Sequence, residues 1–309
     1  MPDWRWYTSL RTIVRRLRAR LLPVYVEHHT RFVTPDPTDV CANPIFVLGA
    51  HRSGTTLMRR ILDSHPRIAC PPESQFMVHF FNLVQHERSM IGLADLGFHE
   101  AEALRLLRQS ASQFHEIYRR AKGKPRWADK TPEYVDHLPG LYRLFGDVAT
   151  FVMMFRHPLD VATSRWTRLM HLVKRPDKQQ LVDICQKVAV AQAHQLEFLQ
   201  QHAAQTWVIF YEELVANPEQ ILRGMCTFLG EPWDECLLRH DELPHDYGLE
   251  DPIVRVTRGF KPSHGNWRQW SARQLRVALD ILQPVMDQLG YSTDSVQPKA
   301  EFPFLSRAA

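Results

Sequence analysis

Residues 49 to 56 form a loop, GAHRSGTT, whose two glycines have the spacing G-x-x-x-x-G and could bind an anion. The apolar run Pro44–Gly49 precedes the loop and helically spaced apolar residues follow it, which predicts a strand, a glycine loop and a helix. The glycines let backbone N–H groups converge on an anion, and the helix N-terminus adds its dipole. The candidate binding residues of this loop are His51, Arg52, Ser53, Gly54, Thr55 and Thr56.

The loop departs from the pattern that binds nucleoside triphosphates, in which a lysine follows the second glycine. Thr55 stands at that position, and the cation of the loop is Arg52. No convincing Mg²⁺ carboxylate follows a later predicted strand. We therefore expect an anion other than a Mg²⁺–triphosphate, and we expect no metal to be required.

A second candidate anion site begins at Arg156, directly after the apolar run Thr150–Phe155. Its guanidinium can donate two parallel hydrogen bonds to a phosphate. Ser164 adds a hydroxyl from the predicted helix that follows, and Arg168 lies one helical turn beyond that serine. A surface arginine paired with a carboxylate and a plain helix serine are the alternative interpretations of Arg156 and Ser164.

Short apolar runs alternate with longer helical segments along the chain. The runs Ile68–Cys70 and Trp207–Phe210 predict further strands, Glu100–Ala121 predicts a long helix, and Asn217 before a proline predicts a helix start with a capping box. This alternation predicts a three-layer α/β fold, with a central parallel sheet flanked by helices, as in P-loop nucleotide kinases. Ligands of such sheets bind beyond the carboxyl ends of the strands.

Two segments at strand-to-helix junctions resemble one protein family. Pro44–Thr56, PIFVLGAHRSGTT, resembles the 5′-phosphosulfate loop of sulfotransferases that use 3′-phosphoadenosine 5′-phosphosulfate (PAPS). Phe155–Arg165 resembles their 3′-phosphate motif, a strand-end arginine followed eight residues on by a serine. Further similar segments are Asp129–Pro132, Tyr211–Leu214 and Gly265–Trp267. The motif style is most similar to bacterial and tyrosylprotein or glycan-type members.

The resemblance implies an enzyme that moves a sulfuryl group from PAPS to an acceptor hydroxyl, or an amine, and releases 3′-phosphoadenosine 5′-phosphate (PAP). PAPS has two separate anionic ends, which match the two candidate sites. Arg52 and the loop amides are assigned to the 5′ end, and Arg156, Ser164 and Arg168 to the 3′-phosphate. Further nucleotide-binding candidates implied by the family are Tyr211, Ser263, Gly265, Asn266 and Trp267.

The candidate catalytic residues are Arg52, Lys130 and Glu73. Lys130 is expected to stabilise charge that develops around the sulfuryl group, where Arg and Lys donors can replace Mg²⁺. Glu73 follows a short predicted strand and is the candidate general base. A glutamate has this role in relatives that modify tyrosine or glycans, whereas Pro132 replaces the histidine that cytosolic relatives use. An exposed loop lysine and a structural ion pair or cap are the alternatives for Lys130 and Glu73.

The chain of 309 residues has a net charge of +4 and an ordinary globular composition. Residues 1–34 carry seven arginines against two acidic residues, so a basic arm precedes a nearly neutral body. This distribution argues against a nucleic-acid partner. We predict an amphipathic arm and linker at 1–39, a sulfotransferase domain at 40–292 and a tail at 293–309.

The arm has no apolar core of a signal peptide, and the five cysteines lack CxxC spacing. We expect a cytoplasmic protein. Three roles stay open for the amphipathic helix at residues 4–22: packing on the enzyme or on a partner subunit, peripheral contact with an anionic membrane surface, and recruitment of an acidic or lipid acceptor. The acceptor stays open among small molecules, glycans, lipids and peptides, as does the oligomeric state. Rival functions are a P-loop nucleotide kinase or hydrolase and a non-catalytic module that binds adenosine bisphosphate.

Overall fold

The structure is a computed structural model, and it describes residues 41–173, 177–248 and 257–298. The predicted arm at 1–39 lies outside these residues, as does the end of the predicted tail from residue 299. The domain boundaries therefore stay predictions.

Five parallel strands of the described residues form one sheet. They are β1 (Ile45–Gly49), β2 (Ile68–Ala69), β3 (Arg126–Lys130), β4 (Thr150–Phe155) and β5 (Thr206–Phe210). Their order across the sheet is β2-β3-β1-β4-β5. In the register, Val47 of β1 lies opposite Lys130 of β3, and Gly49 lies opposite Met154 of β4.

Helices connect the strands and cover both faces of the sheet. They are α1 (Thr55–Ser64), α2 (Met77–Gln85), α3 (Glu87–Asp95), α4 (Glu100–Ala121), α5 (Leu138–Phe145), α6 (Pro158–Met170), α7 (Lys178–His202), α8 (Tyr211–Ala216), α9 (Pro218–Leu229) and α10 (Ala272–Leu289). No helix in the described ranges has the length and apolar character needed to cross a membrane.

Alternate side chains of the central strand β1 enter two different cores. Phe46 and Leu48 pack in the core shared with α2 and with α4 to α7 and α10, whereas Ile45 and Val47 pack in the core shared with α1 and α9. All residues of β1 are buried, as expected for a parallel strand that is covered on both faces. The predicted three-layer α/β fold is confirmed.

Two local features differ from the sequence analysis. Strand β3, with the sequence RWADK, was not predicted, because its charged side chains interrupt the apolar pattern, although all five residues are buried. The side chain of Asn217 makes no capping hydrogen bond, so the predicted capping box of α9 is wrong, although a proline does begin the helix. Capping boxes occur instead at Asp177 before α7 and at Ser271 before α10.

Candidate active site

The loop between β1 and α1 is tightly packed, and two of its glycines have a steric reason. A Cβ atom at Gly49 would lie 2.5 Å from Cγ2 of Thr55. Gly54 has a φ angle of +97°, and a Cβ there would lie 2.7 Å from the ring of Tyr211. Arg52 has a φ angle of 78°, and among the described residues it is the one non-glycine with positive φ. The candidate cation of the loop is therefore held in a strained backbone conformation, as is common at ligand sites.

Arg52 brings the two predicted anion motifs into contact. Its Nε atom donates a hydrogen bond to Oγ of Ser164, at 2.9 Å. Its carbonyl oxygen accepts from Nη1 of Arg156, at 2.7 Å. Because β1 and β4 are neighbours in the sheet, segments more than a hundred residues apart in the sequence meet at the same edge.

Arg156 is buried at the end of β4 and contacts the segment that precedes α10. Its Nη2 atom donates to the carbonyl oxygen of Ser263. Its guanidinium lies over the ring of Tyr211, 4.7 Å from the ring centroid, and the Tyr211 hydroxyl donates to the carbonyl of Lys261 at 3.2 Å. Burial raises the pKa of Tyr211, so its hydroxyl keeps the proton that it donates.

The predicted nucleotide segment is attached to α6 by a carboxylate that the sequence analysis did not select. Asp160 accepts from the backbone N–H of Gly265 at 2.8 Å and from that of Asn266 at 2.9 Å. Trp267 is buried beside His157, with 5.7 Å between the ring centroids. Among the predicted candidates of this segment, Ser263 contacts Arg156 directly, and the others contact Asp160 and His157. Arg168 is exposed near the end of α6, and its phosphate contact stays a prediction.

Lys130 and Glu73 form a close ion pair at the carboxyl edge of the sheet. The Lys130 Nζ atom lies 2.6 Å from Oε1 of Glu73 and 3.2 Å from Oγ1 of Thr56 at the start of α1. The side chain of Lys130 is 0% exposed and that of Glu73 is 13% exposed. The exposed-lysine alternative is wrong. The ion-pair alternative for Glu73 holds, but its partner is the candidate catalytic cation itself.

The predicted loop residue His51 lies near polar residues that were not predicted as site residues. His51 Nε2 lies 3.5 Å from Oε1 of Glu133, and the other oxygen of Glu133 accepts from Gln75 at 3.0 Å. Burial lowers the pKa of His51 and that of the neighbouring Arg165. Glu133 directly follows the similar segment Asp129–Pro132, and Arg165 is the last residue of the segment Phe155–Arg165. These positions were a usable sequence signal for both residues.

Two glutamines of α7 also support the site. Oε1 of Gln195 accepts from the backbone N–H of Ala50 at 3.1 Å, and Nε2 of Gln192 donates to the carbonyl of Arg156 at 2.8 Å. Both side chains are fully buried. They contact the first residue after β1 and the first residue after β4, and their polar positions on a buried helix face were the available sequence signal.

Comparison with known proteins gives the family. A family model described as "Sulfotransferase family" matches residues 44–235. The chain belongs to the sulfotransferase family. The family that the sequence resemblance indicated is thereby confirmed, and the matched residues 44–235 contain Glu73, Lys130 and both anion motifs.

Individual relatives agree with this assignment. Protein-tyrosine sulfotransferase 2 of Gallus gallus is 30% identical over 274 residues, which cover 84% of this chain and 72% of that protein. Other relatives are much longer. The chain spans 32% of an uncharacterised protein of Aquifex aeolicus and 40% of a protein-tyrosine sulfotransferase of Drosophila melanogaster, each 27% identical.

Solved structures share the fold. The sulfotransferase domain from the curacin biosynthetic pathway has a TM-score of 0.55 at 22% identity and covers 81% of this chain and 98% of that chain. Mouse sulfotransferase SULT7A1, solved with PAP, has a TM-score of 0.50 at 14% identity and covers 81% and 86% of the two chains.

Proposed function

We propose that this protein transfers the sulfuryl group of PAPS to a hydroxyl of an acceptor and releases PAP. The acceptor oxygen forms a bond to sulfur as the bond between sulfur and the 5′-phosphate oxygen breaks, in line with it. Glu73 takes the hydroxyl proton, and Lys130 and Arg52 stabilise the charge on the sulfuryl and leaving oxygens. By analogy with phosphoryl transfer, positioning and electrostatic stabilisation supply most of the rate increase in such a step.

The geometry of Lys130 carries this proposal. One buried ammonium contacts both the candidate base, at 2.6 Å, and Thr56 at the start of the loop helix, at 3.2 Å. A sulfuryl group bound by the loop would therefore lie near a cation and a carboxylate at once. This arrangement suits proton removal coupled to charge stabilisation.

Two unpaired buried donors support the fit of PAPS to the site. The Ser53 hydroxyl, inside the glycine loop, and the Nε atom of Arg156 have no hydrogen-bond partner among the described residues. Buried polar groups are rarely left without a partner, so each one marks a place where a ligand oxygen would complete the bonding. One lies in the predicted 5′ site and the other in the predicted 3′ site, so each anionic end of PAPS would have one such donor.

For the acceptor, we propose an order of molecular classes to test. The Gallus gallus and Drosophila melanogaster relatives are named for protein tyrosine, so tyrosine-containing peptides are the first acceptors to try. Glycans, lipids and small hydroxylated compounds follow. Because Lys130, Arg52 and Arg156 supply the cations, we also propose that transfer proceeds in the presence of EDTA.

The test uses PAPS labelled in its sulfur, with peptides and then a host-cell extract as acceptors. Replacing Glu73 by glutamine is expected to lower kcat by about 100-fold or more, the size of a general-base contribution, while calorimetry finds unchanged PAP affinity. Glu219→Gln, an exposed glutamate paired with Arg223 on α9, is the matched control. Absence of both sulfated product and PAP binding would refute the function. PAP binding without transfer to any acceptor would favour the non-catalytic module instead.

A further inference from the structure

A buried polar cluster lies directly behind Glu73 and Lys130. It consists of Ser74, His115 and Asp129, with Tyr134 and Thr131 beside them, and each is at most 7% exposed. These residues come from three parts of the fold: the segment after β2, helix α4, and strand β3 with the turn that follows it. Unpaired polar groups are costly in a protein interior. Most polar atoms of this cluster have partners, but Oδ1 of Asp129 and Nδ1 of His115 have none among the described residues.

Three atoms of Ser74 contact other members of the cluster. Its backbone N–H donates to Oγ1 of Thr131 at 2.9 Å, its hydroxyl lies 2.9 Å from Nε2 of His115, and its carbonyl oxygen lies 3.2 Å from the hydroxyl of Tyr134. Ser74 directly follows Glu73 in the chain. The backbone that carries the candidate base therefore has little freedom to move.

The other end of the cluster lies on both sides of Lys130. Asp129 precedes this lysine and Thr131 follows it. Oδ2 of Asp129 accepts from the hydroxyl of Tyr134 and lies 3.2 Å from Nε2 of His115. The same cluster thus joins the immediate neighbour of the base to both immediate neighbours of the cation.

One proton in the cluster can be assigned, that of the Tyr134 hydroxyl. Burial and the adjacent Asp129 raise the pKa of Tyr134 well above its ordinary value, so the phenol stays protonated and donates. Nε2 of His115 lies near both the Ser74 hydroxyl and Oδ2 of Asp129, and its role as donor or acceptor depends on the tautomer of the ring.

The cluster is not a nucleophilic Ser-His-Asp triad. In such a triad the serine and the aspartate contact opposite ring nitrogens of the histidine. Here both contact Nε2, and Nδ1 of His115 has no hydrogen-bond partner among the residues that the structure describes. Ser74 is also buried. The cluster therefore has a supporting role rather than a chemical one.

We propose that Thr131, Ser74, His115 and Asp129 are positioning residues that hold the Glu73 carboxylate against the Lys130 ammonium. This inference rests on the proposed function, because it assigns these residues a purpose in the same proton transfer. The cluster keeps the Glu73 carboxylate at its 2.6 Å contact with the Lys130 ammonium in the absence of substrate. The base and the cation are then in place before the acceptor binds, so acceptor binding does not have to order them.

The experiment compares three variants of the full chain. Thr131→Val keeps the shape and removes the acceptor of the Ser74 N–H, Thr131→Ser keeps the hydroxyl, and Ser74→Ala removes only the contact with His115. The matched control is Thr227→Val, at an exposed threonine of α9 whose hydroxyl donates to its own helix. Each is assayed for kcat, for the KM of PAPS, for PAP affinity and for thermal unfolding.

We expect Thr131→Val to lower kcat by about 10- to 100-fold, the loss typical of a displacement near 1 Å. PAP affinity and the KM of PAPS should stay within about twofold, because the Arg156 side of the site is untouched, and Thr131→Ser should recover most of the rate. A crystal structure of Thr131→Val should show the Glu73–Lys130 contact lengthened beyond hydrogen-bond distance. Ser74→Ala should lower kcat in the same direction, and Thr227→Val should behave as the unmodified protein.

Two results would overturn the inference. One is an unchanged kcat in both Thr131→Val and Ser74→Ala while Glu73→Gln is inactive. The other is a loss of PAP affinity and of thermal stability that parallels the loss of kcat, without recovery in Thr131→Ser, which marks a purely structural role. If Thr131→Val does not fold, Ser74→Ala is judged by the same criteria. Full activity of Glu73→Gln would instead contradict the proposed function, because that variant removes the proposed base and leaves the cluster intact.

Discussion

Replacing Asp160 by asparagine tests how the nucleotide segment is held. The two carboxylate oxygens of this buried aspartate accept from the N–H groups of Gly265 and Asn266, at 2.8 and 2.9 Å. Asparagine keeps one acceptor and turns an NH₂ group toward the other N–H. The variant therefore loses one charge-assisted hydrogen bond and places two donors face to face.

The size of the effect follows from this geometry. A hydrogen bond to a charged group contributes about 1.5–3 kcal/mol. If the segment must stay in place to bind the nucleotide, this loss appears in the affinity for PAP. At about 1.4 kcal/mol for each factor of ten, we expect the Kd to rise by about 10- to 100-fold.

The assay is a calorimetric titration of PAP into both proteins, combined with urea unfolding. The control is Asp183→Asn on α7, an exposed aspartate that accepts from Gln179 at 2.8 Å. That variant should bind PAP with unchanged affinity. The urea unfolding measurement shows whether Asp160→Asn also destabilises the whole domain.

The reasoning would be refuted by a Kd for PAP within about twofold of the unmodified protein. It would also fail if Asp183→Asn lost as much affinity, since the change would then reflect general charge rather than the two hydrogen bonds. An affinity loss that is matched by an equal loss of unfolding free energy would show that Asp160 stabilises the whole domain instead.

Three further predictions concern the same edge of the sheet. Gly54→Ala should lower the unfolding midpoint and PAP affinity more than Gly97→Ala. Both glycines have φ above +90°, but a Cβ at Gly54 would lie 2.7 Å from Tyr211, whereas a Cβ at Gly97 would have nothing within 4 Å. Equal effects of the two substitutions would exclude the Tyr211 contact as the cause. Arg156→Lys, which loses the forked donor, should weaken PAP binding by about tenfold or more, and an unchanged calorimetric Kd would argue against a 3′-phosphate site there. Burial raises the pKa of Glu212 from 4.5 to about 7, so this carboxyl is protonated in the folded protein at a pH where the unfolded chain has lost the proton. The associated stability is complete below pH 4.5 and is lost as the pH rises through 7. Urea unfolding at pH 5 and pH 8 should therefore show a decrease, of at most about 3 kcal/mol, that is absent in Glu212→Gln; the same decrease in both proteins would contradict the assignment.

The two anion motifs were predictable because each is local. Glycine spacing, an apolar strand before it and a helix after it are all visible within about a dozen residues, and the same holds for Arg156 and the helix that begins at Pro158. The family resemblance rested on these segments, and it led to the confirmed family and fold. The contact between Arg52 and Ser164, at 2.9 Å, follows once β1 and β4 are known to be neighbours.

Strand β3 shows where such reasoning stops. Its sequence has an arginine, an aspartate and a lysine in five residues, which is not the pattern of a buried strand. Each charge has a partner outside the strand: Arg126 pairs with Glu231, Asp129 with Tyr134 and His115, and Lys130 with Glu73. No local pattern encodes those partners, so neither the strand nor the burial of Lys130 could be predicted.

The sequence by itself determined the residue types, the two loops and the chain order of the strands other than β3, because these depend on neighbours along the chain. The tertiary structure decided which candidates meet. Parallel strands end at a common edge, and this brings Glu73, Lys130 and Thr56 together although they come from three separate segments. It also decided the supporting residues, Asp160, Gln195 and the Ser74 cluster, because a buried polar side chain is stabilised by partners that only the folded chain places beside it.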